Sequence, residues 1–176
     1  MIWNIKKPLS KRGLPEYRHK EAGIVRVGQL VRSILSAEAP ATCTFVPVPP
    51  SKSKTDPLYD DRLVRALQSG APPLDIRELF TMRQSTRAHH EYVGSERRPT
   101  PDDLYALLEL DERCLSSALK PTVFIFDDVL TNGTHFKACK RLLLERVPTC
   151  KVVGLFVGRR KPILTIGTDD LFDDFQ

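Results

Sequence analysis

The sequence contains no apolar run that approaches the length of a membrane span, and its first residues lack the apolar core of a secretion signal. We therefore expect a cytoplasmic protein with no membrane partner. Its four cysteines show no CxxC spacing, so a zinc site is not expected. No internal repeat or low-complexity segment is present, so we do not expect a repeat architecture.

The composition is that of one soluble globular domain, with 176 residues of which 41% are hydrophobic and 28% are charged. A formal net charge of +5 fits a phosphate-rich ligand or nucleic acid. Basic residues are concentrated near the N-terminus, where prolines and a glycine interrupt any helix. They form either a solvated arm or a contact for nucleic acid or a protein partner. This basic cluster consists of Lys6, Lys7, Lys11, Arg12, Arg18 and Lys20.

The most informative stretch is residues 123–135, VFIFDDVLTNGTH. Its first four residues are bulky and apolar without polar alternation, which is typical of a strand buried on both faces of a parallel sheet. The carboxylates of Asp127 and Asp128 follow, and then a short turn with hydroxyl groups and a glycine. From Phe136 the apolar spacing becomes helical. The stretch therefore predicts one strand–turn–helix unit with polar groups at the end of its strand.

Each residue type in this unit favours a particular contact. A helix N-terminus presents backbone N–H groups and a positive dipole end, which favour a phosphate. The two carboxylates would repel a phosphate, but they can accept hydrogen bonds from vicinal hydroxyls or lie near a divalent cation. Ribose 5-phosphate with a metal ion combines these features, so Asp127 and Asp128 are candidate catalytic and metal-binding residues. The candidate phosphate-binding residues are Thr131, Asn132, Gly133 and Thr134.

The same stretch resembles the 5-phosphoribosyl-1-pyrophosphate signature of type I phosphoribosyltransferases. The resemblance implies that the acidic pair binds ribose and that residues 131–135 bind the 5-phosphate. The sequence departs from the commonest form at two positions. Asn132 stands where threonine or alanine is usual, and His135 stands where a hydroxyl residue closes the loop. The alternative interpretation is an ordinary strand–helix turn with an acidic strand end.

A second candidate site follows residues 42–50, which predict a short strand that runs into a proline-rich loop. Loops at the C-terminal edge of a parallel sheet are where open α/β sheets bind ligands. Ser51 and Lys52 would there bind a second anionic group. The VPVP sequence resembles the ComF-like, competence-associated branch of the family, in which this loop binds pyrophosphate. The alternative is a proline-rich surface turn with solvated lysines.

Residues 83–98 carry a further resemblance to the ComF-like branch. Arg83, Thr86 and the SERR run fall at matching spacing, with His89 where that branch has glutamine. In type I enzymes this region is a mobile loop that closes over pyrophosphate, which implies roles in catalysis or substrate binding for its basic residues. The alternative is that these side chains are solvated. The candidates are Arg87 and His89 as catalytic residues and Arg97 and Arg98 as substrate-binding residues.

The remaining segments predict alternating helices and strands. Helical spacing begins at Ile24 and ends before Pro40, and Thr100 with the acidic residues after it predicts a capped helix start. We therefore expect an α/β fold, a mainly parallel sheet flanked by helices of the type I phosphoribosyltransferase, Rossmann-like kind. Residues 1–20 would be a basic arm, 21–165 the domain and 166–176 an acidic tail. Further predictions are helices over 57–69 and through Leu115 and Leu119, and strands over 79–83 and 151–157.

The resemblance implies an enzyme that transfers the phosphoribosyl group of 5-phosphoribosyl-1-pyrophosphate, with Mg²⁺, to an unidentified nitrogen acceptor. Thr131 argues against the hypoxanthine-guanine subclass, which has an aspartate at that position. The alternative is an inactive protein of this fold that senses a ligand, takes part in DNA uptake or processing, or belongs to a nucleic-acid-handling complex. Single-stranded DNA or a protein would then be the partner. A homodimer is a further expectation in either case.

Overall fold

The structure is a computed structural model that describes residues 2–86 and 99–160. The candidates Arg87, His89, Arg97 and Arg98 and the predicted acidic tail lie outside these residues. Within the described ranges, none of the helices combines the length and hydrophobicity that crossing a membrane requires.

The core of the fold is a four-stranded sheet in which every neighbouring pair is parallel. Its strands are β1 (Cys43–Pro47), β2 (Asp75–Ile76), β5 (Thr122–Leu130) and β6 (Lys151–Arg159), in the order β2-β1-β5-β6. A separate antiparallel pair consists of β3 (Phe80–Met82) and β4 (Leu108–Leu110). The prediction of an α/β protein with a parallel sheet flanked by helices is confirmed.

Complete burial explains why the central strands contain runs of apolar residues. All five residues of β1 are buried, and Val123, Ile125 and Phe126 of β5 are fully inaccessible. The rings of Phe45 and Phe124 stack with their centroids 5.3 Å apart across the two strands. Strands buried on both faces do not show the alternation of a half-exposed strand.

The helices in chain order are α1 (Ile2–Ile5), α2 (Arg18–Ile34), α3 (Ala39–Thr42), α4 (Arg62–Gln68), α5 (Pro101–Leu107) and α6 (Thr134–Arg146). Helix α2 packs on α1 and α4, and α5 packs on α6. The buried face of α2 includes Ile24, Val27 and Val31, as its spacing predicts, but the helix begins earlier than predicted, at Arg18. At Thr100 the predicted N-cap is confirmed, because its side chain and that of Asp103 form a reciprocal capping box.

Three predicted elements differ from the structure. Residues 57–61 are not helical, since Asp56 accepts a hydrogen bond from the backbone N–H of Leu58 at 2.8 Å and forms a turn instead. The helix predicted through Leu115 and Leu119 is only a short 3₁₀ turn, Glu112–Leu115. Strand β5 also continues to Leu130, because its second half pairs with β6.

Candidate functional site

The acidic pair lies within strand β5, at its C-terminal half, and not after the strand as predicted. Asp127 is partly buried and Asp128 is only 3% exposed. Successive residues of a strand direct their side chains to opposite faces of the sheet, so the two carboxylates have different surroundings. A buried carboxylate needs a cation or hydrogen-bond donors, and Asp128 has both.

Two cations from distant parts of the chain contact Asp128. Lys6, which directly follows α1, places its Nζ 3.0 Å from Oδ1, and Arg62, the first residue of α4, places its Nη2 3.0 Å from Oδ2. Arg62 also lies 3.4 Å from Asp60, which in turn accepts a 2.6 Å hydrogen bond from Lys20. We call these five side chains the ion-pair chain. Lys20 is fully buried.

The ion-pair chain gives the two carboxylates opposite electrostatic properties. Burial disfavours ionisation of Asp128, but the charges of Arg62 and Lys6 outweigh it and lower the pKa of this carboxyl. Burial and the neighbouring charge of Asp128 raise the pKa of Asp127 to about 7. Asp127 Oδ1 accepts a hydrogen bond from the backbone N–H of Asp128 at 2.7 Å. Near neutral pH the pair therefore holds one fixed negative charge and one carboxyl that titrates.

The predicted phosphate loop forms the start of helix α6. Gly133 has φ of +74°, the left-handed conformation that glycine adopts without strain, and it is the N-cap residue. Asn132 Oδ1 accepts hydrogen bonds from the backbone N–H of Thr134 at 3.2 Å and from the hydroxyl of Thr131 at 3.3 Å. The side chain of Asn132 thus stabilises the loop as an acceptor. Burial lowers the pKa of His135, which favours its neutral form at pH 7.

The second predicted site lies at the same edge of the sheet, because β1 and β5 are adjacent parallel strands with Pro47 opposite Phe126. The chain after β1 stays close to β5, since the N–H of Val48 donates to the carbonyl of Phe126 at 2.9 Å. The carbonyl of Ser51 accepts hydrogen bonds from the N–H and the hydroxyl of Thr86. The segment that follows β3 therefore holds the loop that carries Ser51 and Lys52.

A cavity of about 310 Å³ lies between the loop after β1 and the start of α6, but the acidic pair, residues 131–134 and Lys52 are not among its lining residues. Ser51 lines it from the loop after β1, and His135 lines it from the first turn of α6. The hydroxyl-bearing Thr86 also contributes, but most of the wall is apolar and comes from residues such as Met82 and Leu104. Small-molecule sites have this character, with an apolar wall and a few polar groups. The structure brings together Ser51 and His135 from separate motifs of the sequence.

The role of the basic residues that hold the acidic pair is not evident from the sequence. Lys6 and Lys20 were part of the N-terminal basic cluster, for which a solvated arm or an external partner was expected. In the structure, Lys6 pairs with Asp128 and Lys20 with Asp60, whereas Lys11 and Arg12 are exposed. The one available signal was that buried carboxylates need cations from elsewhere in the chain.

The acidic pair does not fit a directly bound Mg²⁺. Each oxygen of Asp128 already contacts a cation, and one oxygen of Asp127 accepts a backbone hydrogen bond. A divalent ion at Asp128 would face the positive charges of Lys6 and Arg62 at close range. In the described part of the chain, histidine, cysteine, aspartate and glutamate nowhere form a group of three that could hold a metal ion.

Comparison with known proteins does not assign the chain to a family. No protein-family model matches the chain, and a search of the curated proteins finds no similar sequence.

Proposed function

We propose that the protein binds 5-phosphoribosyl-1-pyrophosphate and transfers its phosphoribosyl group to a nitrogen acceptor. One observation carries this proposal. The acidic pair in the C-terminal half of β5 and the glycine-led N-terminus of α6, which follows that strand, lie on the same side of the sheet's edge as the loop after the neighbouring parallel strand β1. Ligands of open α/β sheets bind at this edge. A diol-binding pair, a phosphate-binding turn and a second anion-binding loop suit a ribose that is phosphorylated at both ends.

In this proposal residues 131–135, which form the turn before α6 and the first two residues of that helix, anchor the 5-phosphate. Asp127 and Asp128 position the ribose hydroxyls, and Ser51 and Lys52 bind the pyrophosphate. During transfer the bond between C1 and the pyrophosphate oxygen breaks and pyrophosphate leaves with the bonding electrons. The acceptor nitrogen bonds to C1 and passes its proton to the departing pyrophosphate. Arg87, His89, Arg97 and Arg98 remain predicted contributors to charge stabilisation. Mg²⁺ enters the proposal only as an ion that accompanies the pyrophosphate of the ligand.

A second candidate function is ligand binding without turnover, in a sensor or in a complex that handles nucleic acid, with single-stranded DNA or a protein as partner. The observation that favours it is the internal pairing of the site. Both oxygens of Asp128 contact side chains of the protein, and Asn132 occupies one backbone N–H at the start of α6. The basic cluster would then retain a role at the surface through its exposed members, Lys11 and Arg12.

Calorimetric titration with 5-phosphoribosyl-1-pyrophosphate and magnesium tests the proposal. The loop after β1 offers a matched pair of variants, because Lys52 is a predicted pyrophosphate ligand whereas Lys54 pairs with Glu78 at 3.2 Å. We expect Lys52→Met to weaken binding by roughly tenfold, the loss of one charge-assisted contact, and Lys54→Met to leave it unchanged. If folded wild-type protein does not bind 5-phosphoribosyl-1-pyrophosphate, it is neither a transferase that uses this ligand nor a sensor of it.

Release of pyrophosphate separates the two candidates. A panel of nitrogen acceptors is incubated with protein that binds the ligand, and free pyrophosphate is measured. Acceptor-dependent release that Lys52→Met reduces would support the transferase. Tight binding with no release for any acceptor would favour the binding protein.

A further inference from the structure

Lys6 and Arg62, the two members of the ion-pair chain that contact Asp128, are each held in place by other parts of the protein. Ile5, which precedes Lys6, is buried against α2, where Gly23 leaves room for it: a Cβ at position 23 would lie 3.0 Å from Cγ2 of Ile5. Arg62 is held by Asp60, which Lys20 holds in turn. The two cations at Asp128 are therefore fixed by packing and by further ion pairs.

The ion-pair chain has no excess negative charge that an external cation would have to neutralise. Its three cations, Lys6, Arg62 and Lys20, outnumber the two carboxylates of Asp60 and Asp128, and the neighbouring carboxyl of Asp127 has a pKa of about 7. The side chain of Asp128 is 5% exposed, so its interactions with the two cations are screened little by solvent. An added divalent cation would add further positive charge to side chains that already include three cations. The protein thus supplies at the acidic pair the charge that a metal ion would supply.

We propose that Lys6 and Arg62 replace a metal ion at the acidic pair, so that the pair binds the hydroxyls of ribose 5-phosphate without Mg²⁺. This inference rests on the proposed function and concerns the ribose end of the same site. Lys6 and Arg62 are positioning residues: they orient Asp128 and do not themselves contact the ligand. Each carboxylate oxygen accepts about two hydrogen bonds, so Asp128 retains acceptor capacity for a hydroxyl beside its two cations.

The ligand class that follows is a ribose with a 5-phosphate and free 2- and 3-hydroxyls. Such a ligand needs no metal at the acidic pair, because its hydroxyl groups are neutral donors and its phosphate binds at the start of α6. Ribose 5-phosphate is the sharpest probe, since it lacks the pyrophosphate that binds Mg²⁺ by itself. Any metal dependence of its binding then reports on the acidic pair.

The experiment is calorimetric titration of ribose 5-phosphate in chelator and in millimolar Mg²⁺. For the wild type we expect the dissociation constant in chelator and that in Mg²⁺ to agree within about twofold. Lys6→Met removes one cation and should weaken binding roughly tenfold in chelator, with recovery in Mg²⁺. Lys7→Met is the matched control, because the Lys7 side chain contacts the carbonyl of Glu16 and not the acidic pair. Lys6→Arg keeps the charge and should bind like the wild type.

Four results would overturn the inference. Binding of ribose 5-phosphate by the wild type only with Mg²⁺ would overturn it and leave the proposed function intact. Equal weakening of Lys6→Met in both buffers would show a merely structural role for Lys6. If 5-phosphoribosyl-1-pyrophosphate binds but ribose 5-phosphate does not, the acidic pair does not act alone and the inference fails. Failure of both ligands to bind folded wild-type protein would refute the proposed function as well. Circular dichroism establishes that each variant is folded. The comparison of wild-type binding in chelator and in Mg²⁺ tests the inference without any variant.

Discussion

Asp127→Asn and Asp128→Asn are isosteric changes of adjacent residues, yet we expect them to change the free energy of unfolding in opposite directions. In wild-type protein, burial and the charge of Asp128 raise the pKa of Asp127 from 3.8 to about 7. The folded state then binds a proton that the unfolded state releases. The contribution of Asp127 to stability is therefore full below pH 3.8, decreases as pH rises and reaches its lowest level above pH 7. At about 1.36 kcal/mol for each pH unit, that interval corresponds to about 4 kcal/mol.

Asp127→Asn removes this penalty, because an amide does not ionise. The variant should be as stable as wild type near pH 4 and more stable at pH 8, by up to about 4 kcal/mol. Asp128→Asn has the reverse effect, because it leaves Lys6 and Arg62 beside a neutral group. Removing one partner of a buried ion pair costs about 3–5 kcal/mol, and we expect about 3 because Lys6 is 28% exposed and recovers some hydration.

Urea denaturation at pH 4, 6 and 8 measures both effects, with the denaturant slope used to check that each variant unfolds in one step. A loss of stability in Asp127→Asn at pH 8 would refute the reasoning, as would a similar loss in the two variants. Either result would mean that Asp127 is ionised and paired in the folded protein and that the two carboxylates are equivalent.

Three further outcomes follow from the same structure. Lys20→Met should lose about 3 kcal/mol in urea denaturation, since it leaves Asp60 with a single cation at 3.4 Å; a loss below about 1 kcal/mol would contradict the buried pair. Gly133→Ala should lower the free energy of unfolding by about 1–2 kcal/mol, because alanine is strained at a φ of +74°, and an unchanged melting temperature would contradict this strain. The same variant should bind phosphate more weakly in calorimetry. Thr100→Ala should lower the free energy of unfolding by about 1 kcal/mol, because it removes the capping box. Thr149→Ala, at an exposed position, is the control and should change the free energy of unfolding in urea by less than about 0.5 kcal/mol.

The elements that could be predicted from the sequence are those with local causes. A run of apolar residues without alternation predicts a buried strand wherever it occurs, as at β1 and in the first half of β5. The capped start of α5 at Thr100 depends on residues within one turn. The left-handed conformation at Gly133 is a property of that residue and its turn. None of these requires knowledge of distant parts of the chain.

The partners of the acidic pair could not be predicted, because they depend on contacts between segments that are far apart in sequence. Nothing near Lys6 indicates that it reaches Asp128, and charged residues among prolines resemble a solvated arm. The extension of β5 beyond Phe126 has the same origin. Polar residues such as Asp127 continue the strand because β6 lies beside it and supplies the backbone partners.

The chain reaches the acidic pair from its beginning, its middle and its last third, through Lys6, Arg62 and Asp128. Contacts between such distant residues require the long loops between them to close, at a cost in chain entropy. The site therefore exists only where all three segments are folded together. A ligand that binds there would shift the equilibrium toward the complete fold as a whole, so that its presence during synthesis or refolding would increase the yield of native protein.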